Sequence, residues 1–170
     1  MNSILSEESK DSVFKKVRTY LENENFKIEN TDQTRPWGGF FVIAEDHSAR
    51  FISHFFPHVN HQDIEEYAKL SPKILIVAPR KRLSWQYHHR RAEIWRVVKG
   101  TVGVVISDTD EQTPPRTLFE GEHIRLQKGE RHRLVGLESW GIVAEIWQHT
   151  DEEHPSNEDD IVRLEDDFGR

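Results

Sequence analysis

A mainly β domain, built as a small sandwich or barrel and preceded by one helix, is what this chain of 170 residues predicts. Two observations carry that expectation. Before residue 30 the apolar residues recur at helical spacing, and from residue 40 onward short runs rich in Val, Ile, Phe, Trp and Tyr alternate with Gly, Pro and Asp-rich turns. The length suits one ordinary core and is too short for two full catalytic domains.

Taken in order, residues 7–24 read as an amphipathic helix. Ser6 offers a capping oxygen, Glu7 and Glu8 complement the positive helix end, and Val13, Phe14, Val17 and Leu21 share a face. Strands are expected at 40–44, 50–55, 73–78, 83–88, 93–99, 101–107, 116–120, 123–126, 132–135 and 142–147. A short inserted helix over 60–70 is indicated by a cap-like Asn60 with Asp63 three positions on, then Ile64, Tyr67 and Ala68, and a stop before Pro72. Residues 107–115, polar with two prolines, form a hairpin loop. The segment 151–160 holds six acids and a proline and reads as a solvated connection to a last strand at 161–164. This divides the chain into a helical extension, 1–34, and a barrel domain, 35–170. No repeat at solenoid spacing is present.

Lys and Arg total 23 against 30 Asp and Glu, a formal charge of −7, which argues against binding a nucleic-acid backbone. With no cysteine, thiolate metal sites, disulfides and cysteine nucleophiles are excluded, so any metal must be held by nitrogen and oxygen. The ten histidines therefore matter most. The first residues lack the basic-then-apolar order of a secretory signal. No apolar run approaches the roughly 20 residues that cross a bilayer. With a mean hydropathy of −0.74, a cytoplasmic chain without membrane contact is expected.

The informative stretch is Leu83-Ser84-Trp85-Gln86-Tyr87-His88-His89-Arg90-Arg91-Ala92-Glu93-Ile94-Trp95. On a strand Gln86 and His88 face one way and Leu83, Trp85 and Tyr87 the other, and a turn over 89–92 returns Glu93 to the same region. An amide oxygen, an imidazole and a carboxylate are three ligands for a divalent ion. The candidate fourth is His132, which opens the strand after the turn at 127–129.

These two stretches resemble the paired motifs of the cupin superfamily, a double-stranded β-helix or jelly-roll barrel. The first is Gln86-x-His88-x4-Glu93-x6-Gly100, with Gln86 in place of the usual first histidine. The second is Gly121-x5-Gln127-x-Gly129-x2-His132, with Gln127 where proline is usual and Gly136 where asparagine is usual. Within cupins, five ordered motifs are similar to type II mannose-6-phosphate isomerases, a domain that also closes bifunctional isomerase and mannose-1-phosphate guanylyltransferase enzymes. They are Arg35-Pro36-Trp37-Gly38, Leu83-Ser84-x-Gln86-x-His88, Arg91-Ala92-Glu93-x-Trp95, His132-Arg133-Leu134 and the ending Glu158-Asp159-Asp160-Ile161-Val162-Arg163-x-Glu165-Asp166-Asp167-Phe168-Gly169-Arg170.

The resemblance implies a metal-dependent aldose–ketose isomerase that interconverts mannose 6-phosphate and fructose 6-phosphate, working as a homodimer. Gln86, His88, Glu93 and His132 would hold the ion, with Zn favoured and Mn, Fe or Co compatible with the donor set. Glu145 and Arg163 are the implied catalytic residues, Glu145 as base. Arg91 and Arg133 are implied substrate contacts, because a guanidinium fork suits phosphate oxygens, and Arg163 matches a family arginine of the same use. The family often has histidines at the positions of Arg90 and Ile94 and a glutamine near Trp147, and the stretch 55–72 is an insertion relative to it. Two other functions fit the same motifs: a non-catalytic cupin that binds a sugar or sugar nucleotide, and an isomerase of unphosphorylated sugars. His47, His54, His58, His61, His89, His123, His149 and His154 read as surface or satisfied structural residues, the five tryptophans as core, and Arg80-Lys81-Arg82 as a solvated turn.

Overall fold

Both faces of the central sheet are buried, and that decides the architecture. The computed structural model describes residues 1, 4, 6–60, 62–65, 67 and 69–170. Six antiparallel strands form one sheet in the order β1 (Ile28–Asp32), β2 (Gly38–Ile43), β3 (Lys73–Val77), β10 (Gly141–His149), β5 (Arg91–Lys99) and β8 (His123–Leu126). Five more form a second sheet in the order β11 (Val162–Glu165), β4 (Trp85–Tyr87), β9 (Arg131–Gly136), β6 (Val102–Ser107) and β7 (Arg116–Leu118). These two sheets make the jelly roll expected from the motifs.

Period-two alternation sorts the side chains of the large sheet. Ile74, Ile76, Ile94, Ile142, Ala144 and Ile146 point outward, into one cluster with Val13, Phe14, Val17 and Leu21. Leu75, Val77, Trp95, Val97 and Val143 point inward and meet Val102, Val104 and Leu134 of the small sheet. Every residue of β10 is consequently buried. The outer layer consists of α1 (Lys10–Asn23), α2 (Ser48–Phe55) and α3 (Gln62–Glu65). Each apolar side chain fully enclosed this way contributes roughly 1.5–3 kcal/mol before its ordering entropy is counted.

Several elements differ from expectation, each for a physical reason. Residues 50–55 lie in a helix, α2, instead of a strand. The alternation of Phe51, Ser53 and Phe55 mimics a strand, but Phe51, Ile52 and Phe55 share one helical face, and all three are buried. β1 escaped notice because Ile28-Glu29-Asn30-Thr31-Asp32 is a polar edge strand, paired only to β2. α1 begins at Lys10 under a Ser9 cap, whose hydroxyl accepts from the Ser12 N–H at 3.3 Å, so Ser6 lies outside it. α3 is a single turn within the expected 60–70 helix, and His61 and Ala68 lie outside the described residues. The acidic connection is only partly solvated, since Ser156 and Asp160 are buried. Among the described residues no helix is long and apolar enough to cross a membrane.

The Arg35-Pro36-Trp37-Gly38 motif has a backbone reason. Gly38 has φ of 142° and lies against β3, where an added Cβ would stand 1.8 Å from the Ile76 carbonyl oxygen. Gly38→Ala is therefore expected to cost at least about 2 kcal/mol. A thermal melt should show a clear loss, and an unchanged melting temperature would contradict this packing.

Candidate metal centre

Strand register assembles the site from two ladders. In the large sheet Glu93 stands opposite Trp147 and Trp95 opposite Glu145, four inward side chains on one square of β5 and β10. In the small sheet Gln86 of β4 pairs with His132 of β9. His88 sits just beyond β4, where the chain crosses between sheets, and β5 already starts at Arg91, so the turn is shorter than the expected 89–92. Gly129, with φ of 80°, closes the turn before His132, and its N–H donates to the His88 carbonyl at 2.9 Å. That bond ties the two imidazole-bearing segments together.

His88, Glu93 and His132 converge, with one ligand atom from each inside a 4.8 Å radius of the others. All three are buried. The Nε2 atoms of the two imidazoles lie 3.2 Å apart, and Glu93 Oε1 is 3.1 Å from His88 Nε2. His88 Nδ1 faces the Asp160 carbonyl at 2.9 Å and His132 Nδ1 faces the Glu130 carbonyl at 3.0 Å. A carbonyl can only accept, so each Nδ1 carries a proton, and in the neutral ring each Nε2 presents a lone pair to the same small space. Burial pushes the His132 pKa down to about 4 in spite of Glu93, which keeps that ring neutral at pH 7. Glu93 Oε2 is buried without a hydrogen-bond partner. Two facing lone pairs and an orphaned carboxylate oxygen fit a divalent cation, and this trio could hold one.

Gln86 is the fourth expected ligand. Its Oε1 accepts from Ser84 Oγ at 2.5 Å and its Nε2 lies 3.5 Å from His88 Nε2, so the side chain borders the cluster with its amide nitrogen inward. Turning the amide over would present the oxygen instead.

Burial is the largest single influence on Glu93 and works to raise its pKa, but Arg91, His88 and His132 together outweigh it and hold the carboxyl well below its ordinary value. Arg91 Nε donates to Glu93 Oε1 at 2.7 Å, and the guanidinium lies over the Trp147 ring. Glu145 has the opposite fate. Burial, then repulsion from Glu93, push its pKa up to about 7 against the pull of Lys73 and Arg91. Its oxygens accept from Trp95 Nε1 at 2.8 Å and Trp147 Nε1 at 2.9 Å.

Glu93 and Glu145 line one cleft that opens to solvent. All five tryptophans are buried, as expected of core residues; Trp37, Trp95 and Trp147 also line the cleft, whereas Trp85 and Trp140 bury against the protein with Nε1 on the Asp110 and Glu8 carbonyls. Arg163 is exposed at the mouth, opposite Gln86 in the β11–β4 ladder. Arg35, Lys73 and Arg170 join it in the lining, held by Asp32, Glu158 and Asp166 respectively. Arg35 and Arg170 stand in quoted motifs without a role assigned to them, and no motif marks Lys73.

Arg133 stands elsewhere. It is buried outside the cleft lining, with Nε on the Leu83 carbonyl, Nη1 on Gln112 and Glu165, and Nη2 on the Glu165 carbonyl. With those donors engaged by the protein, it clamps β11 onto the small sheet and lies apart from the cleft. Arg82, from the expected solvated turn, reinforces the clamp through Glu165 and Asp167. Sequence reasoning also missed Asp160. Its carboxylate accepts from the N–H groups of His89 and Arg90 and from Ser156 Oγ, while its carbonyl orients His88.

Comparison with known proteins agrees with this geometry. The family described as mannose-6-phosphate isomerase C-terminal matches residues 45–166. Mannose-1-phosphate guanylyltransferase ManC of Salmonella typhimurium is 32% identical over 126 residues, 74% of this chain and 24% of that protein. Alginate biosynthesis protein AlgA of Pseudomonas aeruginosa is 33% identical over 114 residues, 67% of this chain and 22% of that protein. The chain thus spans about a quarter of the length of these curated relatives. Among solved structures, the capsular polysaccharide assembling protein CapF of Staphylococcus aureus superposes with a TM-score of 0.54 at 13% identity, over 80% of this chain and 34% of that one. Hazelnut vicilin does so at 0.52 and 14%, over 79% and 35%. At such identity these two speak for the fold alone. The match over most of the jelly roll, ligand motifs included, shows that the chain belongs to the mannose-6-phosphate isomerase C-terminal family of cupin domains.

Proposed function

We propose that this domain is a metal-dependent aldose–ketose isomerase of a sugar phosphate, interconverting mannose 6-phosphate and fructose 6-phosphate. The observation that carries the reading is Glu145, an acid whose pKa of about 7 suits proton transfer at neutral pH, in the same cleft as the ligand trio. A divalent ion, with zinc favoured, held by His88, Glu93 and His132 and by Gln86 once its amide is turned, would polarise the sugar carbonyl as a Lewis acid.

The remaining work falls to the chain itself. Ionised Glu145 takes the proton from C2 of the aldose, leaving an enediolate; the hydroxyl proton passes from O2 to O1, and Glu145 returns the carbon-bound proton to C1 as the C2 carbonyl of the ketose forms. The Trp95 and Trp147 indoles fix both carboxylate oxygens, so the base meets the substrate in one orientation. Arg163 at the mouth offers the fork for the phosphate, helped by Arg170 and Arg35. Arg91 lines the cleft, but its donors are engaged with Glu93, His88, Ser156 and Asn157, so its part concerns the ligands.

A coupled assay should detect turnover of mannose 6-phosphate that is lost on chelation, and His132→Ala should lose bound metal and turnover together. Activity that survives complete metal removal, or binding of the sugar phosphate without turnover, would contradict the reading. Glu145→Gln should lower kcat by about 10²–10⁴-fold with metal content unchanged. Arg163→Met should raise KM for the phosphorylated substrate by about tenfold or more, whereas Arg133→Met should lower the melting temperature and leave KM alone.

Glu145 also sets a pH dependence of stability. Its folded pKa lies above the ordinary 4.5, so the fold holds a proton that the unfolded chain releases between about 4.5 and about 7. The associated stability is complete below the unfolded value and is lost as pH rises through the folded one. In melts of metal-free protein from about pH 5 to about pH 8, wild type should lose ground to Glu145→Gln. Parallel curves would show that Glu145 is ionised throughout.

A further inference from the structure

We infer that Arg91 is a resident counter-cation of the ligand cluster, holding the His88 nitrogen a divalent ion would take together with one oxygen of the Glu93 carboxylate, and thereby setting how tightly that ion binds. The inference rests on the proposed metal reading of His88, Glu93 and His132. Arg91 Nε sits on Glu93 Oε1 at 2.7 Å and Nη2 on His88 Nε2 at 3.2 Å. The second contact is decisive. With His88 Nδ1 committed to the Asp160 carbonyl, Nε2 is the only ring nitrogen left for coordination, and one lone pair cannot serve a guanidinium and a metal together.

The remaining contacts show that Arg91 is built in. Nη1 donates to Ser156 Oγ at 3.0 Å and to the Asn157 carbonyl at 3.2 Å, and the guanidinium carbon stands 3.5 Å from the Trp147 ring centroid. Its side chain is 2% exposed, the same as that of Glu93. A carboxylate buried this deeply needs a positive partner, and Arg91 provides it in the metal-free chain. Metal entry then exchanges one cation for another at His88. Nε can stay on Glu93 Oε1 during the exchange, because Oε2 has no hydrogen-bond partner and faces His132 Nε2 at 3.6 Å, which leaves it available to coordinate. Arg91 therefore steadies the metal-free site and opposes the ion by competition and by charge. A residue that merely supported Glu93 from behind would do the reverse, and its loss would weaken binding.

The test is a zinc titration of chelator-stripped wild type, Arg91→Met and Arg91→Lys against a chromophoric competitor, with thermal melts before and after zinc. Arg91→Met keeps the stem against Trp147 and removes the charge. It should bind zinc at least about tenfold more tightly than wild type, melt lower when metal-free, and gain more on zinc addition. Arg91→Lys keeps the charge but cannot bridge Glu93 and His88, so it should fall between the two. Equal or weaker zinc binding by Arg91→Met overturns the role given to Arg91 while leaving the metal site standing. If the metal-free Met variant does not fold, the Lys variant decides: tighter binding than wild type supports the inference, equal or weaker binding overturns it. Zinc binding by neither wild type nor variants overturns the metal reading, and the inference with it.

Discussion

Enclosing the Glu93 carboxylate inside an apolar barrel is the constraint on which the rest of this structure depends. An isolated carboxylate there would cost several kcal/mol, so the chain must bring cations and donors to it. Arg91 is the nearest of these, and it is itself fixed by Ser156 and Asn157 from the segment after β10. The same segment supplies Asp160, which caps the turn at His89 and Arg90 and aligns His88. An acidic tail that looks like surface solvation is thus part of the site's frame. Its attachment continues through Arg133 and Arg82, which pin β11 and the residues after it to the small sheet. The centre is complete only when the last part of the chain has returned.

The second organising fact is that β10 serves two cores at once. Ile142, Ala144 and Ile146 bind the helical layer, while Val143, Glu145 and Trp147 face the barrel. A slip of one residue would send Glu145 into the outer apolar cluster and expel Ile146 from it, so packing on one face enforces the register of the chemistry on the other. Two acids on neighbouring strands then acquire opposite characters: Glu93 beside a guanidinium stays ionised, and Glu145 between two indoles holds its proton to about pH 7. Separated pKa values of this kind are what acid–base chemistry in a confined cleft requires.

Much of this was legible beforehand, and the exceptions are instructive. The strand pattern was readable because a barrel strand must alternate or be wholly apolar. The trio His88, Glu93 and His132 was readable because a strand and a short turn restrict where their side chains can go. Arg91 and Arg133 could not be told apart, since both are arginines beside ligands. Their difference lies in which face of which sheet each enters, and that depends on partners 32 to 66 residues away in sequence. The tryptophans posed the same problem, as an indole fills a core and donates a hydrogen bond equally well. α2 and β1 were misread or missed for local reasons: an aromatic pattern compatible with two periods, and an edge strand with little to bury.

The account stands or falls on what a divalent ion meets inside the barrel. X-ray absorption at the metal edge of the zinc-loaded protein reads this directly. Two imidazole nitrogens at about 2.0–2.1 Å together with carboxylate oxygen would agree with the convergence of His88, His132 and Glu93. A shell of oxygen alone, without the multiple scattering of imidazole, would place the ion elsewhere and contradict the assignment.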